Sequence, residues 1–297
     1  MCPICGVGVP RTTFASPRLS IARCPVCRHR SSEQATDAAV TATDYHQQYD
    51  EAFVAALART RRRQSRRIVD LIRRASPDLD GVVDFGAGRG WFLEGAQAAG
   101  VRRLAGVDVS SHAITLLRER GIEGTLVDDR LSALPRVSFQ PDALAMLDVI
   151  EHFPVAEVGA RLARVVAHYR PRVVVLKVPT SAGLLYRAAA ALAAFGTVGP
   201  LEQLYQVGSH PPHWSYFSRR SLLTLLTRCG LSPLAIASDR DFEPDELARR
   251  VQALRRSGPF ARPLGIVASA LADVTGAHDA LIVVARPNGA TGATTPR

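Results

Sequence analysis

Two rhythms of apolar and polar positions alternate through the middle of this chain. Short, mainly apolar runs at residues 82–85, 104–107, 124–127, 143–147 and 173–178 carry the mark of strands buried on both faces. Between them, at 91–99, 111–120 and 156–169, apolar residues recur at helical spacing, as in Ala113, Leu116 and Leu117. Strict alternation of strand and helix predicts an α/β fold, a mostly parallel, doubly wound sheet with helices on both faces. Upstream, residues 45–75 read as a helix. Tyr45, Tyr49, Phe53 and Leu57 recur every four positions, Ile68, Val69, Leu71 and Ile72 form a second apolar face, and Ser76-Pro77-Asp78 ends it. Downstream the rhythm breaks. Residues 182–195 form an alanine-rich apolar helix, 199–217 a loop dense in His, Pro and aromatics, and 218–229 a helix capped by Ser218 and Gly230. Residues 234–237 and 280–285 read as two late strands. The tail 287–297 is Gly, Thr and Pro and reads as disordered.

The amino terminus follows neither rhythm. Cys2-Pro-Ile-Cys5 and Cys24-Pro-Val-Cys27 are two C-x-x-C knuckles separated by residues 6–23. Each knuckle lets two thiolates reach one ion from a tight turn, and two knuckles complete a tetrahedral zinc site of four cysteines. Four protein ligands leave no open position, so the zinc is expected to be structural. Residues 1–30 accordingly read as a zinc ribbon of their own, and 31–44 as a polar linker to a larger unit spanning 45–286. Cys229, late in a helical pattern, has the default role of a small buried hydrophobe.

The totals add limits. The 297 residues accommodate one full α/β domain with a small appendage. No apolar run is long enough to span a bilayer, and Cys2 and Cys5 stand where a signal peptide would carry its apolar core, so a cytoplasmic location is expected. The net charge of +10 suggests a polyanion partner. However, Lys177 is the only lysine, and the arginines are dispersed except between Arg59 and Arg74, where a solvated helix face is the simpler account.

The candidate chemistry gathers around Val82-Val83-Asp84-Phe85-Gly86-Ala87-Gly88-Arg89-Gly90. A strand running into three alternate glycines and then a helix brings a ligand close to bare backbone at a helix N-terminus. The spacing is G-x-G-x-G, not the G-x-G-x-x-G of dinucleotide folds. Asp84 lies inside the strand end, and Asp108 ends the next strand, where it can accept the hydroxyls of a ribose.

Loop, Asp84 and Asp108 together resemble the class I S-adenosylmethionine-dependent methyltransferases. Met146-Leu147-Asp148-Val149-Ile150-Glu151-His152-Phe153-Pro154 resembles the segment after the fourth strand in the ubiquinone-type and secondary-metabolite subgroup. His213-Trp214-Ser215-Tyr216-Phe217-Ser218 is similar to that subgroup's His, aromatic-Ser and helix segment. N-terminal knuckles of four cysteines followed by a Tyr-rich helix also occur there. The chain departs from the subgroup in a short knuckle region, with Arg28-His29-Arg30-Ser31 in place of an aromatic stretch.

The resemblance implies a Rossmann-like methyltransferase sheet with a late antiparallel strand, a helical cap at 45–76 over the cofactor, and an acceptor-site insert at 182–229. It implies S-adenosylmethionine on the backbone of Gly86, Ala87, Gly88 and Gly90. Asp84 would meet the ammonium, Asp108 the ribose, Asp128 or Asp129 the adenine amino group, and Leu147 with Asp148 the methionine part. On the acceptor side His213 is the candidate base, with His210 as its substitute and Tyr216 orienting the acceptor. The expected reaction is methyl transfer to oxygen, nitrogen or carbon of a small-molecule acceptor such as a sugar, polyketide or lipid-linked intermediate. An RNA base methyltransferase using the ribbon for recognition is the alternative class. It is disfavoured because no aromatics interleave with the basic residues. A non-catalytic adaptor that keeps the cofactor domain for stability is a third.

Overall fold

The computed structural model describes residues 1–34, 51–239 and 275–289. In chain order, the Cys-rich segment forms strands β1 (Arg11–Ala15), β2 (Leu19–Arg23) and β3 (Arg30–Gln34). Helix α1 (Glu51–Ala75) leads into β4 (Gly81–Phe85), α2 (Trp91–Ala98), β5 (Arg103–Asp108), α3 (Ser111–Glu119), β6 (Glu123–Leu126) and β7 (Ala143–Leu147). A 3-10 turn at Ile150–His152 precedes α4 (Val158–Tyr169) and β8 (Val173–Pro179). Then come α5 (Leu184–Ala194), α6 (Gly199–Leu204), β9 (Ser215–Tyr216), α7 (Arg219–Arg228), β10 (Leu231–Asp239) and β11 (Ala280–Pro287).

The apolar runs build one seven-stranded sheet in the order β10-β11-β8-β7-β4-β5-β6. Only β11 runs antiparallel to its neighbours, inserted between β10 and β8. The late antiparallel strand is thus where the sequence resemblance put it. Every residue of β4 and β8 is buried, which explains runs without polar alternation: helices cover both faces. One face packs Val83, Leu144, Met146 and Leu176 against Leu162 and Val165 of α4 and Leu222, Leu225 and Leu226 of α7. The other packs Val82, Ala145 and Val175 against Ile68, Val69 and Ile72 of α1 and Phe92 and Leu93 of α2.

The Cys-rich segment is not a unit of its own. Its sheet runs β1-β2-β3-β9, so its last strand comes from Ser215–Tyr216, far along the chain. Cys2, Ile4, Cys5, Cys24 and Cys27 belong to the same buried cluster as the first face of the large sheet. Leu19 and Ile21 of β2 pack on the far side with Tyr186 of α5, Leu201 of α6, Tyr205 and Tyr216. A segment too small to bury its own apolar groups completes its core on the larger body.

This corrects the linker at 31–44. Residues 31–34 lie in β3, where the polar pattern Ser-Ser-Glu-Gln satisfies backbone ladders on both edges and buries Ser32; residues 35–44 lie outside those described. Residues 199–217 are not loop throughout. Gly199–Leu204 is helical, with Pro in the first turn and Leu201 and Tyr205 buried one turn apart. The expected strand at 234–237 extends to Leu231–Asp239 along β11. Pro287, assigned to the tail, still pairs with Leu231; residues 290–297 lie outside those described, as do Tyr45 and Tyr49. The cap of α7 is as expected. The Ser218 hydroxyl accepts from the Ser221 N–H, and Ser221 returns the bond. Among the described residues, no helix is long and apolar enough to cross a membrane.

Candidate active site

The loop after β4 is held open by backbone geometry. Gly86, Gly88 and Gly90 all have positive φ, at 81°, 52° and 74°. A Cβ on Gly86 would collide with the Val149 side chain, whereas one on Gly88 would meet nothing within 4 Å. Gly86 is therefore a packing glycine, and Gly88 faces open space where a ligand can reach bare backbone. The N–H groups of Gly86 and Ala87 donate to the Val107 carbonyl at 2.7 and 3.2 Å, tying the loop to β5. Asp108 ties it again: one carboxylate oxygen accepts from the Gly88 N–H at 2.7 Å and the other from the Ser110 N–H at 2.8 Å. Each oxygen keeps a lone pair for a further donor.

Asp84, at the tip of β4, is 3 % exposed, and its Oδ1 has no partner among the described residues. Burial is the main force on it. With the nearby charges of Asp108 and Asp148, it pushes the carboxyl up to about 8. Asp148, just past β7, is compensated instead. The Lys177 ammonium donates to both its oxygens at 2.8 and 2.9 Å, and Arg61 of α1 reaches Oδ2 at 2.9 Å. Asp148 sits at φ 58°, in the left-handed region, with its N–H bonded to the Lys177 carbonyl at 2.9 Å. Leu147 stands beside Lys177 in the β7–β8 register. Lys177 and Arg61 are site residues that the motifs did not single out. The signal for Lys177 was a lone lysine inside an otherwise apolar strand. Arg61 has none, because it is one of many arginines on α1.

Past β6, Asp128 and Asp129 are both exposed. The Asp128 carboxylate accepts from the N–H and hydroxyl of Ser132 at 3.0–3.1 Å, which closes the turn and holds its carboxyl below the usual range. The Asp129 backbone carbonyl accepts from Arg161 of α4 at 2.7 Å.

On the acceptor side three groups converge. Ligand-type atoms of Glu151, His152 and His213 lie within 4.8 Å of one another. Glu151 is fully buried. His152 Nδ1 donates to the Pro212 carbonyl at 2.9 Å, which leaves Nε2 as the acceptor nitrogen, and burial lowers the ring's proton affinity. The His213 ring lies 4.7 Å from that of His152. A buried carboxylate and two imidazoles can pass a proton away from an acceptor held between them and the glycine loop. His210 shares the loop, half-exposed. Tyr216 meets this space with its ring, whose centroid is 5.8 Å from that of His213, and not with its hydroxyl. It is 4 % exposed, its hydroxyl donates to the Leu204 carbonyl at 2.9 Å, and its ring packs on Tyr186 and Tyr205. Its expected role in orienting an acceptor is withdrawn on that ground: the hydroxyl is spent inside an aromatic cluster.

In the Cys-rich segment, the four knuckle thiols come together. Cys2 and Cys27 Sγ are 3.7 Å apart, and Cys5 and Cys24 Sγ 3.6 Å. Four sulfurs about 2.3 Å from one zinc ion stand about 3.8 Å from each other in a tetrahedron, so the donor set fits that ion. The separations are far beyond a sulfur–sulfur bond of about 2.05 Å.

A family model described as a methyltransferase domain matches residues 58–236. No curated protein matches the chain. Among solved structures, the plantazolicin methyltransferase BpumL, in complex with a monoazolic desmethylPZN analog and SAH, is 12 % identical with a TM-score of 0.50, covering 83 % of this chain and 93 % of that one. Geranyl diphosphate C-methyltransferase from Streptomyces coelicolor A3(2) is 16 % identical with a TM-score of 0.48, covering 84 % and 89 %. Magnesium protoporphyrin IX methyltransferase from Synechocystis PCC 6803 is 18 % identical with a TM-score of 0.47, covering 81 % and 89 %. At these identities the likeness is one of fold. The sheet with its late antiparallel strand and glycine loop defines a class I methyltransferase. The chain belongs to the methyltransferase-domain family and is an S-adenosylmethionine-dependent methyltransferase.

The buried Asp84 has a consequence for stability in the cofactor-free protein. An unfolded chain ionises this group near pH 4, whereas the folded one holds the proton up to about 8. Across that window the native state binds more protons, so stability falls as pH rises, by at most about 1.4 kcal/mol per unit. Asp84→Asn is neutral in both states. Its melting temperature should exceed that of the wild type at pH 7.5, with the gap closing towards pH 4.5. Parallel pH slopes for the two proteins would contradict a protonated Asp84.

Proposed function

We propose that this enzyme transfers the methyl group of S-adenosylmethionine to a small-molecule acceptor. The observation that carries the reading is that the glycine loop, tied to Asp108 and packed through Gly86 on Val149, adjoins the turn in which Glu151 and His152 follow Val149 and meet His213. When bound, the cofactor supplies a methyl group already activated by its positive sulfur. The chain's own work is to bind, orient and remove a proton. Gly88 offers bare backbone, and Gly86, Ala87 and Gly90 shape the loop that presents it. Asp84, protonated while its site is empty, ionises against the cofactor's ammonium. Asp108 offers its remaining lone pairs to the ribose, and Leu147 and Asp148 flank the methionine part. Asp129 takes the adenine amino group, because the Asp128 carboxylate is committed to Ser132.

The acceptor's oxygen, nitrogen or carbon takes the methyl as the carbon–sulfur bond breaks onto sulfur, and His213 receives the acceptor's proton. His152, held by the Pro212 carbonyl, lies next in line, and His210 is the substitute on the same loop. The arginine-rich face of α1 argues against an RNA acceptor. Arg61, Arg62 and Arg67 are bound to Asp148, Glu94 and Asp239, so these charges knit the helix to the fold.

Methyl-labelled S-adenosylmethionine should pass its label into small molecules when the enzyme is offered a metabolite extract and total RNA. Label in RNA alone would overturn the reading. With the acceptor in hand, His213→Asn keeps the hydrogen-bonding shape and removes the basic nitrogen. Turnover should drop about 10²-fold or more, with S-adenosylhomocysteine affinity unchanged by calorimetry. Near-normal turnover would move the base to His210 or His152.

We assign Cys2, Cys5, Cys24 and Cys27 to one structural zinc. Elemental analysis of the purified protein should find about one zinc per chain. An iron–sulfur spectrum, or protein with full structure and no metal, refutes it.

A further inference from the structure

We propose that the four-cysteine module is a working part of the acceptor site: strand β3 grips the backbone of His213, and Ser32 and Gln34 are positioning residues that set where its imidazole stands. The inference deepens the reading of His213 as base and rests on it.

The argument starts from the His213 carbonyl. It accepts from the Ser32 hydroxyl at 2.8 Å and from the Gln34 side-chain amide at 3.1 Å. A carbonyl has two lone pairs, so β3 fills both. The same Gln34 amide donates to the Tyr205 carbonyl at 3.1 Å, and that carbonyl also accepts the His213 N–H at 3.1 Å. Both backbone polar groups of His213 are therefore bonded within one cluster that Gln34 closes. The next residue is held too. The Ser32 N–H donates to the Trp214 carbonyl at 3.0 Å, and Ser31 and Arg30 pair with Ser215 and Tyr216.

The opposite side of the loop is fastened to the methyltransferase body. His152 holds the Pro212 carbonyl, the Trp214 N–H donates to the Glu151 carbonyl at 2.8 Å, and the Phe217 N–H to the Pro179 carbonyl at 3.1 Å. The loop is thus a strap between two anchors, and the imidazole of His213 points to the Glu151–His152 side. Without β3 only one anchor remains.

The anchor on β3 is itself seated by the knuckles. The Ser218 hydroxyl, which caps α7, donates to the Cys27 carbonyl at 2.9 Å, and Arg228 at the other end of α7 donates to the Cys5 carbonyl at 3.2 Å. The backbone carbonyls of the two knuckles therefore seat the module against both ends of α7, and β3 of that module holds His213. A reactive group displaced by about 1 Å can lose about 10²-fold in rate. An acceptor site whose base rides on a loop has reason for a second anchor, and two side chains of the module meet at the His213 carbonyl.

The test is the Ser32→Ala, Gln34→Ala double variant of the full chain. With the acceptor found by the labelling screen, kcat should drop about 10- to 100-fold, while S-adenosylhomocysteine affinity stays within about twofold by calorimetry. The pH profile of kcat should shift, since Glu151, His152, His210 and Tyr216, the titratable groups around the imidazole, would meet it at changed distances. Ser32→Thr keeps the hydroxyl and should retain most of the rate. A readout without turnover is the imidazole signal of His213 in a protein carrying labelled histidine, assigned by its loss in His213→Asn. That signal should shift or broaden in the double variant, while those of His112 and His168, elsewhere in the fold, stay put. Unchanged kcat with an unchanged His213 signal overturns the proposal, and so does a loss of cofactor affinity in step with kcat. If the double variant does not fold, Gln34→Ala alone, at a half-buried position, is read in the same ways. If His213→Asn turns over normally, the base assignment fails by itself. The His213 signal then decides separately whether β3 positions this residue.

Discussion

A parallel sheet brings the carboxyl ends of its strands to one edge, and in this protein the three adjacent strands β5, β4 and β7 carry Asp108, Asp84 and Asp148 there. Mutual repulsion and burial oppose three charges there, so each needs its own answer. Asp148 has the Lys177 ammonium and the Arg61 guanidinium. Asp108 has two backbone N–H groups, one of them from the glycine loop that it thereby shapes. Asp84 has no such partner at its buried Oδ1, and burial raises its proton affinity. With Asp84 neutral, the Lys177 and Arg61 cations balance the Asp108 and Asp148 carboxylates among these five groups, and ionisation of Asp84 leaves one negative charge over. The left-handed backbone at Asp148 and the buried Lys177 follow from the same constraint, because a strand end must turn sharply to present its carboxylate to that lysine.

The second organising contact lies between the Cys-rich segment and the rest. Its cysteines share a core with the large sheet, and its last strand is borrowed from Ser215–Tyr216. The segment that looks like an appended ribbon in the sequence is packed into the larger body and forms a wall beside the His213 loop. The Tyr186, Tyr205 and Tyr216 cluster fills the space between that wall and helices α5 and α6. This accounts for tyrosines near the acceptor site that bond to each other and to backbone rather than facing an acceptor.

Much was legible along the chain because it rests on local rules. Apolar runs marked the buried strands, alternate glycines marked the turn at Gly86–Gly90, C-x-x-C pairs marked the four thiols that come together, and Ser218 marked its cap. The aspartates at the strand tips were legible too, because a strand end in a parallel sheet has only one place to be.

What depended on contacts distant in the chain was not. Ser32 and Gln34 look like linker residues until β3 meets Ser215 and His213, residues separated from them by most of the domain. Arg61 is one arginine among many until α1 lies over Asp148. Tyr216 has the composition of an acceptor-site residue, and only the packing of three rings turns its hydroxyl away. The sequence by itself determined the elements, the cofactor edge and the four thiols, since periodicity, turn chemistry and ligand spacing are properties of neighbouring residues. The tertiary structure alone decided which carboxylate is left uncompensated, and that the four-cysteine segment and the His213 loop form one wall. Burial and pairing are set by what folds against a residue, not by what stands beside it in the chain.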